Sequence, residues 1–281
     1  MSEQTAPPRR RHRRARIVAA IVAVVLVAAT ATFVVLWNRV TTRPVSIAEA
    51  RRRAGAAGYG TDQSATATPL RPAAGIYQYR GEGTEELDKP PRSQSQGPGI
   101  PGTVTHLGGR CWKFRVDYNT NHWQSWDYCS TGKGLTEQGG SFFQRLDLVI
   151  TKVETSSTYT CDPPADTIRA AQRVGDQWKQ NCHGTSTTAT GEIIAAGPYR
   201  YLGQEDLNIG GRRVKALHYR WSRTLTGGQT GTEAGDFWFD AETGLPLRNQ
   251  RVVTVHRDSP IGRVTYDEKG SFLLVSMTPT R

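Results

Sequence analysis

The side chains of this chain best suited to chemistry are four cysteines, six histidines and a crowd of aromatics. Cys111, Cys129, Cys161 and Cys182 form an even set, which reads as two disulfides in an oxidising compartment. Three connectivities are open, and local pairing is favoured. Cys111 and Cys129 fall in strand-like segments of one hairpin, while Cys161 and Cys182 bracket a segment opened by Pro163 and Pro164. The rival is a zinc site that recruits His183, beside Cys182. No C-x-x-C spacing is present and zinc thiolates are unusual in an oxidising compartment, so no metal is expected.

Catalytic patterns are sparse. His12, His106, His122, His183, His218 and His256 lie far apart, and none makes the H-x-x-x-H spacing of a helical metal pair. No serine stands in a G-x-S-x-G context and no cysteine is left over as a thiolate. Glu85, Glu86 and Asp88 form an acidic cluster, as do Glu205 and Asp206, and both read as solvated strand ends. The sequence predicts neither an enzyme nor a cofactor.

The aromatics are the stronger lead. Trp112, Phe114, Trp126, Tyr199, Tyr201, Tyr219 and Trp221 are the candidates for lining a ligand concavity, since indole and phenol rings combine apolar area with one polar handle. Core packing is the competing use, because aromatics are favoured in strands, and carbohydrate stacking is a third.

Such side chains need strands to aim them. Beyond residue 75 the sequence alternates with period two, as in Trp112-Lys113-Phe114-Arg115-Val116-Asp117 and Leu217-His218-Tyr219-Arg220-Trp221, with Leu217, Tyr219, Trp221 and Leu225 on one face. Turn clusters such as Asn208-Ile209-Gly210-Gly211 and Thr226-Gly227-Gly228 separate the runs. About 9–11 strands in an antiparallel meander are expected. Residues 83–102 read as a long Pro/Gly-rich surface loop. One helix is expected after Asp162-Pro163-Pro164, with Ile168, Ala171, Val174 and Trp178 at helical spacing.

Ahead of this domain, Ile17 to Trp37 is an apolar run broken only by Thr30 and Thr32, entered from six arginines. At about 1.5 Å per residue it reaches roughly the 30 Å of a bilayer core, which predicts a transmembrane helix. The alternative is a cleaved signal peptide ending near Ala29-Thr30-Ala31. Basic flanks place the N-terminus in the cytoplasm and the rest outside the cell, anchored to the bilayer of the cell membrane. The expected organisation is a basic tail (1–16), the membrane helix (17–37), a juxtamembrane helix and linker (38–74) and an extracytoplasmic β domain (75–281). The short helix begins at Ser46-Ile47-Ala48-Glu49, which has the capping-box form. The formal charge of +11 sits mostly before residue 58, where eleven arginines meet two acids. The β domain is nearly balanced, which argues against nucleic acid as a partner.

The stretch Gly235-Asp236-Phe237-Trp238-Phe239-Asp240-Ala241-Glu242-Thr243-Gly244-Leu245-Pro246-Leu247-Arg248, after two strands around Gly210-Gly211, resembles the penultimate hairpin of LolA/LppX-like lipoprotein carriers and related bacterial extracytoplasmic domains. The resemblance spans about residues 197–281. Asp240, Gly244 and Pro246 read as the structural turn, with the aspartate bonding turn amides and glycine taking positive φ. The resemblance implies a curved antiparallel half-barrel, all-β with minor α, whose concave face holds acyl chains. A lipid or other apolar molecule is then the expected ligand. An envelope module that binds wall polymer or a membrane-protein partner is the alternative.

Overall fold

The computed structural model describes residues 19–30, 42–56, 67–131, 134–148, 152–259 and 262–280. Residues 19–30 form helix α1, in a unit separate from the one that holds the strands. Among the described residues no helix is long and apolar enough to cross a membrane, against the transmembrane helix expected over residues 17–37. Residues 17, 18 and 31–37 of that run, and the basic tail, lie outside the described residues.

The second unit holds a short helix, α2 (Ile47–Ala56), and thirteen strands. In order these are β1 (Gly75–Asp88), β2 (Pro91–Gln96), β3 (Gly99–Gly108), β4 (Cys111–Asn119), β5 (His122–Thr131) and β6 (Gly134–Asp147). There follow β7 (Lys152–Arg169), β8 (Gln177–Ser186), β9 (Ile193–Ile209) and β10 (Arg212–Gly227). The last three are β11 (Thr230–Asp240), β12 (Pro246–Ser259) and β13 (Gly262–Leu274). From β3 onward each strand pairs with the next, as the short turns require.

The sheet closes. Strand β1 pairs antiparallel with β13 from Tyr79↔Leu274 to Leu87↔Tyr266, so the expected half-barrel is in fact a complete barrel. On its other side β1 pairs with β3 through Arg80↔Gly99 and with β2 through Gly83↔Gln96. Strands β2 and β3 thus act as one wall strand interrupted at Gly97-Pro98, and the barrel has twelve staves. The region read as a surface loop, 83–102, supplies these wall strands. Closure removes the unpaired edges that a half-barrel leaves exposed.

The helix expected after Asp162 is also corrected: that segment belongs to β7, and Val174, which the helical stripe would bury, is 73% exposed. Ile168 and Trp178 do turn inward, but from two different strands. On β10 the register shifts between His218 and Tyr219, so Ala216 rather than Leu217 is buried alongside Tyr219 and Trp221.

Both disulfides are local, Cys111–Cys129 across β4 and β5 and Cys161–Cys182 across β7 and β8. The sequence separations are 18 and 21 residues. Loops of this size correspond to about 3 kcal/mol each in the chain-entropy model. Replacing Cys111 and Cys129 together by serine is therefore expected to lower unfolding stability by about 3 kcal/mol in urea titration.

Outside the wall, Val45 and Ala50 pack on Ile76, seating α2 against the barrel. Ser46 Oγ accepts from Glu49 N at 3.1 Å, while the Glu49 carboxylate takes Arg53 at 2.7 Å instead of returning to the Ser46 amide. Arg53 also donates to the buried Asp117 at 3.0 Å. Residues 67–74, read as the end of a linker, pack onto one end of the barrel. Trp112 Nε1 donates to Leu70 O at 3.1 Å, and Leu70 N donates to Glu242 O at 2.8 Å.

Candidate functional site

The inward-facing side chains sort by depth along the barrel. One end is filled by rings. Tyr79 meets Phe272 at 5.1 Å, Tyr128 meets Phe239 at 6.1 Å, and Tyr219 packs among Tyr199, Tyr201 and Phe239. The turn that joins β11 to β12 lies beside this end. Asp240 Oδ2 accepts from Thr243 N at 2.9 Å, Gly244 takes φ +71°, where a Cβ would meet Leu135 and Leu70, and Pro246 starts β12.

Next comes a charged layer that follows one line of directly paired positions around the wall. Arg223 on β10 faces Glu233 on β11, and Glu233 faces Val253 on β12. Val253 faces Glu268 on β13, Glu268 faces Glu85 on β1, and Glu85 faces Gln94 on β2. Two carboxylates placed directly opposite repel unless something lies between them. Gln96 bridges them, its Nε2 donating to Glu268 Oε1 at 2.7 Å and to Glu85 Oε1 at 3.1 Å. Glu85, wholly buried, also accepts from Gln94 and Gln144 at 2.6 Å each and lies 2.7 Å from His122 Nδ1. Arg251 donates to Glu268 and to the Tyr118 hydroxyl, with its guanidinium 4.0 Å over the Tyr118 ring. Arg223 donates to Glu137 at 3.2 Å and to Gln180 at 2.8 Å.

Over this layer, and reaching past it to Tyr128, Tyr199 and Phe239 of the packed rings, the barrel holds a cavity of about 190 Å³. Its wall is largely apolar, from Leu87, Leu146, Leu225, Val253, Val255 and Val264, with Glu233 and the two Arg–Glu pairs reaching it from below. Of the aromatic candidates, Trp126, Tyr199 and Trp221 line the cavity. Trp112, Phe114, Tyr201 and Tyr219 do not; they belong to the packed rings beneath, Trp112 and Phe114 with no exposed surface at all. Cys182 lines the cavity, and Cys161 packs beside it. Glu137, Cys161 and Cys182 converge like a metal cluster, but the cysteines are joined as a disulfide and offer no thiolate. His183 pairs instead with Glu192 at 2.9 Å.

The charged layer went unread in the sequence: Glu137, Arg223, Glu233, Arg251 and Glu268 were not singled out, and Glu85 was taken as solvated. The available signal was phase. Gly81, Gly83, Glu85 and Leu87 continue the inward row of Tyr77 and Tyr79, and Arg251 lies between Asn249 and Val253 on that of β12.

The electrostatics of the layer are uneven. Burial alone would raise the Glu268 carboxyl, but the charges of Arg251 and His122 and the donated bonds of Gln96 and Arg251 outweigh it and hold the group below its ordinary value. For Glu233 burial wins and lifts the carboxyl above its ordinary value; Arg223 and Arg251 oppose this, and Glu268 and Glu137 add to it. A folded-state pKa above the unfolded one means that the ionised group weakens the fold, and that stability returns as pH falls through the folded pKa. Glu233→Gln should therefore raise the melting temperature at pH 8. The gain should vanish toward about pH 4, the ordinary carboxylate value, in melts across that range. The groups facing Glu233 are Arg223, Arg251, Glu268 and Glu137.

No protein-family model and no curated protein matches the chain. Among solved structures it is similar to the hypothetical lipoprotein YmcC from Escherichia coli (K12), at 14% identity and a TM-score of 0.32, over 82% of this chain and 98% of that one. It is also similar to a putative lipoprotein from Parabacteroides distasonis, at 10% identity and a TM-score of 0.35, over 75% of this chain and 99% of that one. Likenesses this distant carry no function across.

Proposed function

We propose that the barrel is a non-enzymatic, extracytoplasmic binding domain for a small apolar or amphiphilic molecule held inside it. One observation carries the reading: an interior cavity of about 190 Å³ with an apolar wall over a charged layer. Native interiors otherwise pack without voids of this size, and ligand sites typically combine an apolar lining with a few placed polar groups. The two disulfides support a place outside the reducing cytoplasm.

The alternative, an envelope module that stacks wall polymer on surface aromatics, has less to rest on. The indoles of the outer face are already stacked: Arg115 lies 4.0 Å over Trp123, and Trp238 is covered by His218 at 4.1 Å and Arg248 at 4.5 Å.

Titrating the full chain with Prodan, a neutral solvatochromic naphthalene, tests the reading. Saturable one-to-one binding, a blue-shifted probe and quenching of the cavity indoles Trp126 and Trp221 are expected. Absence of saturable binding would remove the cavity's claim to a ligand.

A further inference from the structure

Within the reading of the cavity as a ligand site, we infer that the ligand is an amphiphile whose polar end is a protonated amine, seated on Glu233. Every other carboxylate of the charged layer has its complement. Glu137 takes Arg223, Glu268 takes Arg251, and Glu85 takes three glutamine amides and His122. Among the described residues Glu233 makes no hydrogen bond and no ion pair, although Arg223 is its direct cross-strand neighbour. That guanidinium is directed away, to Glu137 and Gln180. The carboxyl is enclosed by the barrel yet lines the cavity, and on its inward row it stands between Gly231 and Gly235, which put no side chain over it.

Charges enclosed in proteins are paired, and the cavity is the space from which a partner can reach Glu233. An anionic head would meet the carboxylate directly and be repelled. A neutral hydroxyl brings one donor and no charge. A primary ammonium brings three donors and the missing positive charge, and its bonds to a carboxylate are charge-assisted. The hydrocarbon body then lies against Val253, Val255 and Leu225. The other unpaired polar atoms of the layer, such as Trp221 Nε1 and Arg223 Nε, are closed off from the void, so they do not compete for the head. Arg257 also lines the cavity with no partner among the described residues, but it is only partly buried and lies four residues beyond Val253, the residue paired with Glu233, so at about 3.3 Å per residue it stands roughly 13 Å along the wall from Glu233. Burial favours a proton on Glu233, and an ammonium would take the place of that proton.

Displacement of Prodan from the full chain by octylamine, octanol and octanoate, equal in chain length, tests the assignment. Octylamine should compete at least about tenfold more strongly than either of the others. Its advantage should grow as pH rises and Glu233, whose carboxyl burial holds above its ordinary value, ionises among Arg223, Arg251, Glu137 and Glu268, while octanol stays constant. Glu233→Gln should reduce octylamine to the level of octanol, with each competitor measured against that variant's own Prodan affinity. Equal competition by octanol, preference for octanoate, or an amine preference that survives Glu233→Gln would overturn the inference while the cavity reading stands. Failure of Prodan itself to bind would overturn both.

Discussion

Replacing Arg251 by alanine is expected to destabilise the barrel by about 3–5 kcal/mol, the usual cost of removing one partner of a buried ion pair. The guanidinium is the only positive group that donates to Glu268 among the described residues, and both side chains are almost wholly inaccessible, at 4% and 3%. Without it Glu268 would sit opposite Glu85 in a buried layer with only Gln96 and Tyr266 to bond it among the described residues. The surroundings are built around the arginine. Gly83 and Gly270 pair across β1 and β13, and a Cβ on Gly270 would come within 2.6 Å of Gln96 Oε1 and 3.6 Å of Arg251 Cζ. The loss should depend on pH. In the parent protein Glu268 is held below its ordinary value, so its contribution is present above the unfolded carboxylate pKa and fades as pH falls through the folded one. In the variant the same carboxyl must take up a proton to stay buried. The gap between the two proteins in urea titrations should therefore be widest at neutral pH and narrow in acid. A double change, Arg251→Met with Glu268→Leu, should recover much of the loss, because it leaves no charge unpaired. A loss below about 1 kcal/mol for Arg251→Ala would mean that the pair contributes no more than a surface salt bridge.

How much of this was legible in the chain follows from what each signal depends on. The wall strands were visible because alternation is local: Trp112, Phe114 and Val116 face inward as their spacing says. The Asp240–Gly244 turn was visible for the same reason, since its bonds span three or four residues. Closure was not. The pairing of Tyr79–Leu87 with β13 joins the two ends of the domain, and a half-barrel and a full barrel display the same alternation. The false helix arose because Ile168 and Trp178 are both apolar and ten residues apart, a spacing that two antiparallel strands satisfy as readily as helical turns. Among the aromatics, phase told inside from outside but not depth. Trp112 and Trp126 both point inward, and only the stagger of the staves puts one in the packed end and the other on the cavity. Charges such as Glu85 and Arg251 were hidden by their type, because a charged residue in an alternating run is read as outward until its phase is checked.

Filling the cavity should weaken ligand binding without harming the fold. Ala195 on β9 lines the void, directly paired with Cys182 on β8, and its side chain is a single methyl group. An indole at this position is comparable in size with the available space, so Ala195→Trp should weaken Prodan binding at least about tenfold, or about 1.4 kcal/mol. The same substitution buries new apolar area against Leu225 and Ile193, at roughly 25 cal/mol per Å² of surface removed from water, so stability should hold or rise. Opposite signs for binding and stability are what separate a void kept open for a ligand from ordinary core. In a filled core the added ring would overpack and cost about 1–3 kcal/mol. Ser157→Phe, which enters from β7, checks that the result belongs to the cavity and not to one position. If both variants lose stability and still bind Prodan with parental affinity, the probe is held elsewhere and the interior is packing alone. If both bind poorly and melt no lower than the parent, the barrel interior is the binding site, and the stability gained measures what the protein gives up to keep that space open.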